Sequence, residues 1–268
     1  SIFAPASPPA ESIRQLAILV FVISLFIFFI VEGVLLYTLW RFRQRKAQAA
    51  AQASDQSTAL AEPPQVSGSK PIAVAWTAAP ALIVFVLVLV TTRTLWEVKP
   101  TVVEPQAGDN ALFVTVVGHQ WWWEYVYETY DGRKLGFITA NELHIPSSAD
   151  GTVRAVHLRL ESADVAHSFW VPRLAGKTDL IPGVTNHMWF QTSESGLLLG
   201  QCAEYCGTQH AGMLLRVVVD SPEDFETWLA NQEKPAVQPA GSQPEGSSSP
   251  AGADITNNVA AANVAAGK

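Results

Sequence analysis

The chain has 268 residues, 49% of them apolar and 15% charged, and carries a net charge of −7. The apolar residues are strongly clustered, which argues for a membrane protein with a soluble part rather than a wholly soluble chain. The acidic balance argues against a nucleic-acid partner.

Residues 1–14 make a short outer segment. Leu16 to Trp40 is almost wholly apolar apart from Glu32, and the span predicted over 15–40 exceeds the roughly 20 residues that a bilayer core requires. Glu32 is the one ionisable residue well inside a span, which makes it either a functional group or a structural hydrogen-bonding one. Residues 41–70 are a connecting loop, rich in Ala, Gln and Ser with Pro63 and Pro64, and read as flexible. A second span is predicted over 71–96, where Pro80 kinks the helix unless neighbours satisfy the freed carbonyl. Arg41, Arg43, Arg45, Lys46 and Lys70 flank the loop, whereas the outer flanks hold only Arg14, Arg93 and Lys99. The loop is therefore placed in the cytoplasm and both termini outside. Ser1 in place of Met is compatible with a cleaved signal peptide.

Residues 97–232 change to short apolar runs broken by Gly, Pro, Asn and Asp. Val114 to Val117, Thr152 to Leu160, Met188 to Thr192 and Leu214 to Val219 read as strands of a β-sandwich or barrel. Ser221 as N-cap, Pro222 at the first helical position and Glu223 and Asp224 in the first turn predict a closing helix to about Gln232. Seventeen Asp and Glu face eight Lys and Arg between Glu97 and Gln232, an excess that steers a basic partner, with Asp164, Glu124, Glu128 and Asp131 as the candidate acids, or merely aids solubility. Residues 233–268 are dominated by Pro, Gly, Ser, Ala and Asn and read as a disordered tail.

The two cysteines of the chain, Cys202 and Cys206, fall in one segment with Glu204, His210 and Met213. Thiolate, thioether and imidazole together suit copper. A structural zinc site would bring a second, distant pair of ligands, and a mononuclear blue copper site uses one Cys where this segment offers two. Two adjacent copper ions fit the spacing better than one, and need a second His from elsewhere. A disulfide between the cysteines would leave Glu204, His210 and Met213 as coincidences, and a redox Cys-x-x-Cys is excluded by the spacing.

Cys202-x-Glu204-x-Cys206-x3-His210-x2-Met213 resembles the copper motif of subunit II of the haem-copper cytochrome c oxidases at every position. Asp164, His167 and Ser168, with His167 thirty-five residues before Cys202, are similar to the family's upstream Asp-x-x-His-Ser. Gly118, His119, Gln120, Trp121, Trp122 and Trp123 are similar to its aromatic segment. The resemblance covers roughly residues 11–232. It implies a membrane-anchored all-β protein: a two-helix transmembrane hairpin followed by a cupredoxin-like Greek-key β-sandwich. It further implies a binuclear copper A centre, with Cys202 and Cys206 as bridging thiolates and His167 and His210 as terminal ligands. Met213 and the Glu204 carbonyl would be the weak ligands, and the Glu204 carboxylate would help hold magnesium at the boundary with the catalytic subunit. Trp121 would receive electrons from cytochrome c, for passage to haem in catalytic subunit I, where oxygen is reduced. The implied setting is a bacterial inner membrane, beside other oxidase subunits, with the copper domain on the periplasmic side.

One position departs from the family. Trp76, Thr77 and Pro80 match its second helix, but Ala73 stands where the family often has a Glu near a proton path, so proton uptake falls to another subunit or to Glu32. Among other classes, a quinol oxidase subunit II lacks the copper ligands, and nitrous oxide reductase carries a large propeller domain that this chain is too short to hold. A membrane-anchored copper-binding or copper-delivery protein would need neither the Trp121 segment nor the Glu204 ligand. No Cys-x-x-Cys-His occurs, so a fused cytochrome c module is not expected.

Overall fold

A computed structural model describes residues 2–52, 68–100, 105, 106, 108 and 110–234. Helices α1 (Pro8–Gln52) and α2 (Lys70–Val98) are both long and apolar enough to cross a membrane. Their large apolar side chains face outward: Phe26 and Phe29 are each 67% exposed and Trp76 79%, the outward-facing pattern of a lipid-embedded helix rather than a core one. The helix α1 outruns the predicted span at both ends, and residues 53–67 of the predicted loop lie outside the described residues, as does the tail from 235 onward. Glu32 sits half-buried in mid-helix, and Pro80 lies inside α2 without ending it.

Among the described residues the sandwich has ten strands in two five-stranded sheets. One runs β3 (Arg133–Ala140), β2 (Trp122–Tyr130), β1 (Leu112–His119), β5 (Val156–Ser162), β8 (Asn186–Phe190). The other runs β4 (Glu142–Pro146), β10 (Leu214–Asp220), β9 (Gly196–Cys202), β6 (His167–Trp170), β7 (Thr178–Leu180). Neighbours are antiparallel except β1 with β5 and β10 with β4, so the chain crosses between sheets instead of meandering. Alternating residues such as Leu198, Cys202, Leu215, Val217 and Val219 point inward and are buried, as a period of two demands. Phe169 lies at the centre, edge-on to Trp123 with ring centroids 5.5 Å apart and to Tyr125 at 6.5 Å.

Two predicted strands shift. The strand predicted from Thr152 begins only at Val156, because buried Arg154 turns inward there to bond the Ser147 carbonyl and both oxygens of Asp150. The one predicted over Met188 to Thr192 runs two residues earlier, since the Gln191 N–H leaves the ladder to donate to Ser7 ahead of α1. This contact belongs to a strap: the Ala6 N–H donates to the Arg173 carbonyl at 2.8 Å, and the Arg173 guanidinium donates to the Ala4 carbonyl at 2.7 Å. The strap ties the start of the first membrane helix to the sandwich.

The closing helix α3 (Pro222–Gln232) starts as predicted, the Ser221 hydroxyl accepting from the Asp224 N–H at 3.1 Å. It buries Phe225 and Leu229 and lays Trp228 flat on the His144 imidazole, centroids 4.3 Å apart. Both ring nitrogens of His144 meet carboxylates, Asp220 at 2.7 Å and Glu142 at 3.2 Å. Burial alone would depress the His144 pKa, but the two carboxylates outweigh it and hold it above the ordinary imidazole value. A group whose folded pKa is raised stabilises the fold fully below its unfolded pKa and loses that contribution as pH rises through the folded one. Wild type should therefore exceed His144→Gln in urea-unfolding stability most below about pH 6, with the gap narrowing as pH rises above the ordinary imidazole value. A gap that does not change with pH would exclude an imidazolium clamp on α3.

Candidate metal centre

His167 opens β6 and Cys202 closes β9, and these adjacent strands pair Phe169 with Cys202. The chain then leaves the sheet at one end of the sandwich and returns at Leu214. Three backbone bonds cinch this loop: Cys202 N–H to the Met213 carbonyl at 3.0 Å, Ala203 N–H to the Ser168 carbonyl at 2.9 Å, and His210 N–H to the Gly207 carbonyl at 3.1 Å. Gly207 has φ +118°, a conformation that side chains resist, and it turns the chain back between Cys206 and His210. A short 3-10 turn, His210–Gly212, then delivers Met213 to the interior.

The result is a compact set of soft donors. The Cys202 and Cys206 Sγ atoms are 3.8 Å apart, and both cysteines are free. His167 Nδ1 lies 3.9 Å from Cys202 Sγ, His210 Nδ1 3.6 Å from Cys206 Sγ, and Met213 Sδ 3.7 Å from Cys206 Sγ. The Glu204 carbonyl oxygen is 3.2 Å from Cys202 Sγ. His167, both cysteines and Met213 are buried, His210 is half-buried, and the Glu204 side chain is exposed. The ligating atoms of His167, Cys202 and Cys206 all fall within 4.8 Å of one another.

Electrostatics favours a cation here. Burial works against ionising Cys202, but His167, backbone groups at Ser168 and Glu204, and His210 together pull its pKa down. Burial and the charge on Cys202 then push the Cys206 thiol well up. Ionising one thiol opposes ionising the other, and a soft metal cation that both sulfurs would hold would let both become thiolates. The donor set thus fits copper on its chemistry.

Around the donors lies a second ring of contacts. One oxygen of Asp164 meets His167 Nε2 at 2.8 Å and the other accepts the Gln120 N–H at 2.6 Å. Burial would raise the Asp164 pKa, but His167 and the Val165 and Gln120 N–H groups hold it below the usual carboxylate range. The Trp121 indole N–H donates to the Cys206 carbonyl at 3.2 Å, and the exposed Tyr205 ring stands edge-on to His210 at 5.8 Å. The other histidines are engaged elsewhere: His119 with Glu124, His157 stacked on Phe113, His144 with its carboxylates, and His187 on β8.

All six ligand positions named from the sequence are therefore brought together, and Trp121 touches one of them through the backbone. Sequence reasoning treated Asp164 as an acid for a partner and gave Gln120 no role of its own. For Asp164 the signal was its place one helical turn's spacing before His167; for Gln120 there was none beyond its neighbour Trp121. The acids Glu124, Glu128 and Asp131 have partners of their own in His119, Thr115 and the Gly108 N–H.

Residues 139–221 match the family described as cytochrome c oxidase subunit II, periplasmic domain, and residues 2–95 match its transmembrane domain. Cytochrome c oxidase subunit 2 of Synechocystis sp. is 30% identical over 84% of this chain and 74% of its own length. That of Alkalihalophilus pseudofirmus is 29% identical over 88% of this chain, which spans 63% of that relative's length. The crystal structure of the periplasmic domain of subunit II of cytochrome oxidase of Bradyrhizobium japonicum is 28% identical, covers 48% of this chain and 96% of its own, and has a TM-score of 0.41.

An imidazole whose far nitrogen is held by a carboxylate is oriented and made more basic. Asp164→Asn should accordingly weaken Cu(I) binding about 10–100-fold in a competitive chelator titration. Unchanged affinity would mean that His167 is oriented by packing alone.

Proposed function

The chain belongs to the cytochrome c oxidase subunit 2 family, and on that premise we propose that it is the electron-accepting subunit of a respiratory terminal oxidase. It takes electrons from cytochrome c at a binuclear copper A centre and passes them to haem in the catalytic subunit, where oxygen is reduced to water. The observation that carries the reading is the convergence of six donors from two separate stretches of chain, β6 and the loop after β9, on one largely buried site.

Copper supplies a one-electron couple when bound. The protein's part is to hold the ligands still. Cys202 and Cys206 would bridge two ions, His167 and His210 would each terminate one, and Met213 and the Glu204 carbonyl would complete the set. Burial keeps water from the sulfurs, and the cinched loop leaves the donors little room to move between oxidation states. The exposed Glu204 carboxylate is an oxygen ligand of the kind magnesium takes, at the boundary with the catalytic subunit.

Trp121 is the residue through which electrons would arrive, since its indole reaches the backbone of a ligand and is part-exposed. A copper-delivery protein would have no use for that contact. An apolar hollow of about 540 Å³ opens beside Cys202 and His210, bounded by Phe3, Ile13 and Trp170, and suits a loop of the catalytic subunit. The positive-inside arrangement supports a copper domain on the periplasmic side of a bacterial inner membrane. The acidic excess of the soluble domain supports a basic donor.

Copper analysis with electron paramagnetic resonance tests the centre. About two coppers per chain sharing one unpaired electron, with a seven-line hyperfine pattern lost in Cys202→Ser, is the expected result. A four-line spectrum from a single copper would replace the binuclear reading with a mononuclear one.

A further inference from the structure

Two donors converge on one oxygen beside the site. The Trp121 indole N–H reaches the Cys206 carbonyl at 3.2 Å, and the Gln120 side-chain amide reaches the same oxygen at 2.8 Å. A carbonyl has two lone pairs, so both bonds form together and its acceptor capacity is filled. Gln120 is held at its other end too, its backbone N–H on Asp164 and that carboxylate on His167. Gly207 leaves the room: a Cβ there would stand 3.0 Å from the Gln120 amide nitrogen and 3.1 Å from the indole ring.

We propose that Gln120 is a positioning residue for electron passage through Trp121. Its amide pins the Cys206 carbonyl and the 120–121 segment in the arrangement where the indole is bonded to the backbone of a thiolate ligand. From ring to sulfur the path is then one hydrogen bond and the covalent bonds of a single residue, Cys206. The inference rests on the reading of Trp121 as the point where electrons arrive. Each transfer would oxidise the donor's ferrous haem to ferric, and copper, which Cys202 and Cys206 would hold, would take up that one electron. Because the carboxamide is uncharged, Gln120 fixes the indole without altering the charge that a basic donor meets. Without it, the half-buried indole, packed on one side against the core, keeps only its own longer hydrogen bond to that oxygen.

Gln120→Met keeps the side-chain length, removes the donor, and changes an exposed side chain that the core does not need. In the copper-free full chain in detergent, hydrogen exchange of the Trp121 indole N–H, followed by NMR on 15N-tryptophan protein, should speed up about tenfold. That factor corresponds to about 1.4 kcal/mol, the scale of one hydrogen bond. In the assembled oxidase, electron uptake from bound cytochrome c after flash reduction should slow about tenfold, with KM for cytochrome c unchanged within about twofold. Trp121→Phe, measured alongside, separates the two readings. If Trp121→Phe slows uptake and Gln120→Met does not, the positioning role is overturned and Trp121 keeps its own. A raised KM at constant kcat in Gln120→Met also overturns it, and assigns Gln120 to docking of the donor instead. If Trp121→Phe leaves uptake at the wild-type rate, both readings fall together.

Discussion

Two sulfur atoms buried 3.8 Å apart set the terms for the rest of the domain. At that separation in a dry interior, ionising one thiol opposes ionising the other. The pair is at ease only around a soft cation, and the surrounding residues make the place for that cation reproducible. Cys202 is anchored by a strand, Cys206 by a glycine-driven reversal, and both loop ends are closed by backbone hydrogen bonds.

The sandwich supplies what a loop alone could not. The His167 side is delivered by β6 and the Cys202 side by β9, neighbours in one sheet, so their spacing is fixed by ladder geometry. The aromatic segment comes from the opposite sheet, at the turn between β1 and β2, and meets the site across the end of the sandwich. Asp164 joins the two sheets at this point, with one oxygen on the ligand histidine and one on the aromatic turn. A displacement of either sheet is thereby felt at the metal donors.

Much of this was legible in the sequence, for unequal reasons. The membrane helices announce themselves by composition over long windows, and the ligand motif by a spacing that few other functions require. The closing helix was readable because Ser221, Pro222 and the acids after it each act locally. Strand limits were not: Arg154 folds back on Ser147 and Asp150 where its strand-like pattern gives no sign of it, and the Gln191 N–H leaves the ladder for Ser7, 184 positions away. Gln120 was invisible for the same reason: its bond to Cys206 spans 86 positions of chain, and no local pattern encodes it.

The strap at the start of α1 carries a consequence for biogenesis. Ala4 and Arg173 are 169 positions apart, and a ribosome makes the first long before the second. The leading segment must wait for that partner while the rest of the chain is made and the sandwich folds, since Arg173 has no fixed position until then. Closure of the strap thus reports completion: it is a late step that couples folding of the sandwich to the seating of the first helix, and a nascent chain stalled short of Arg173 cannot make it.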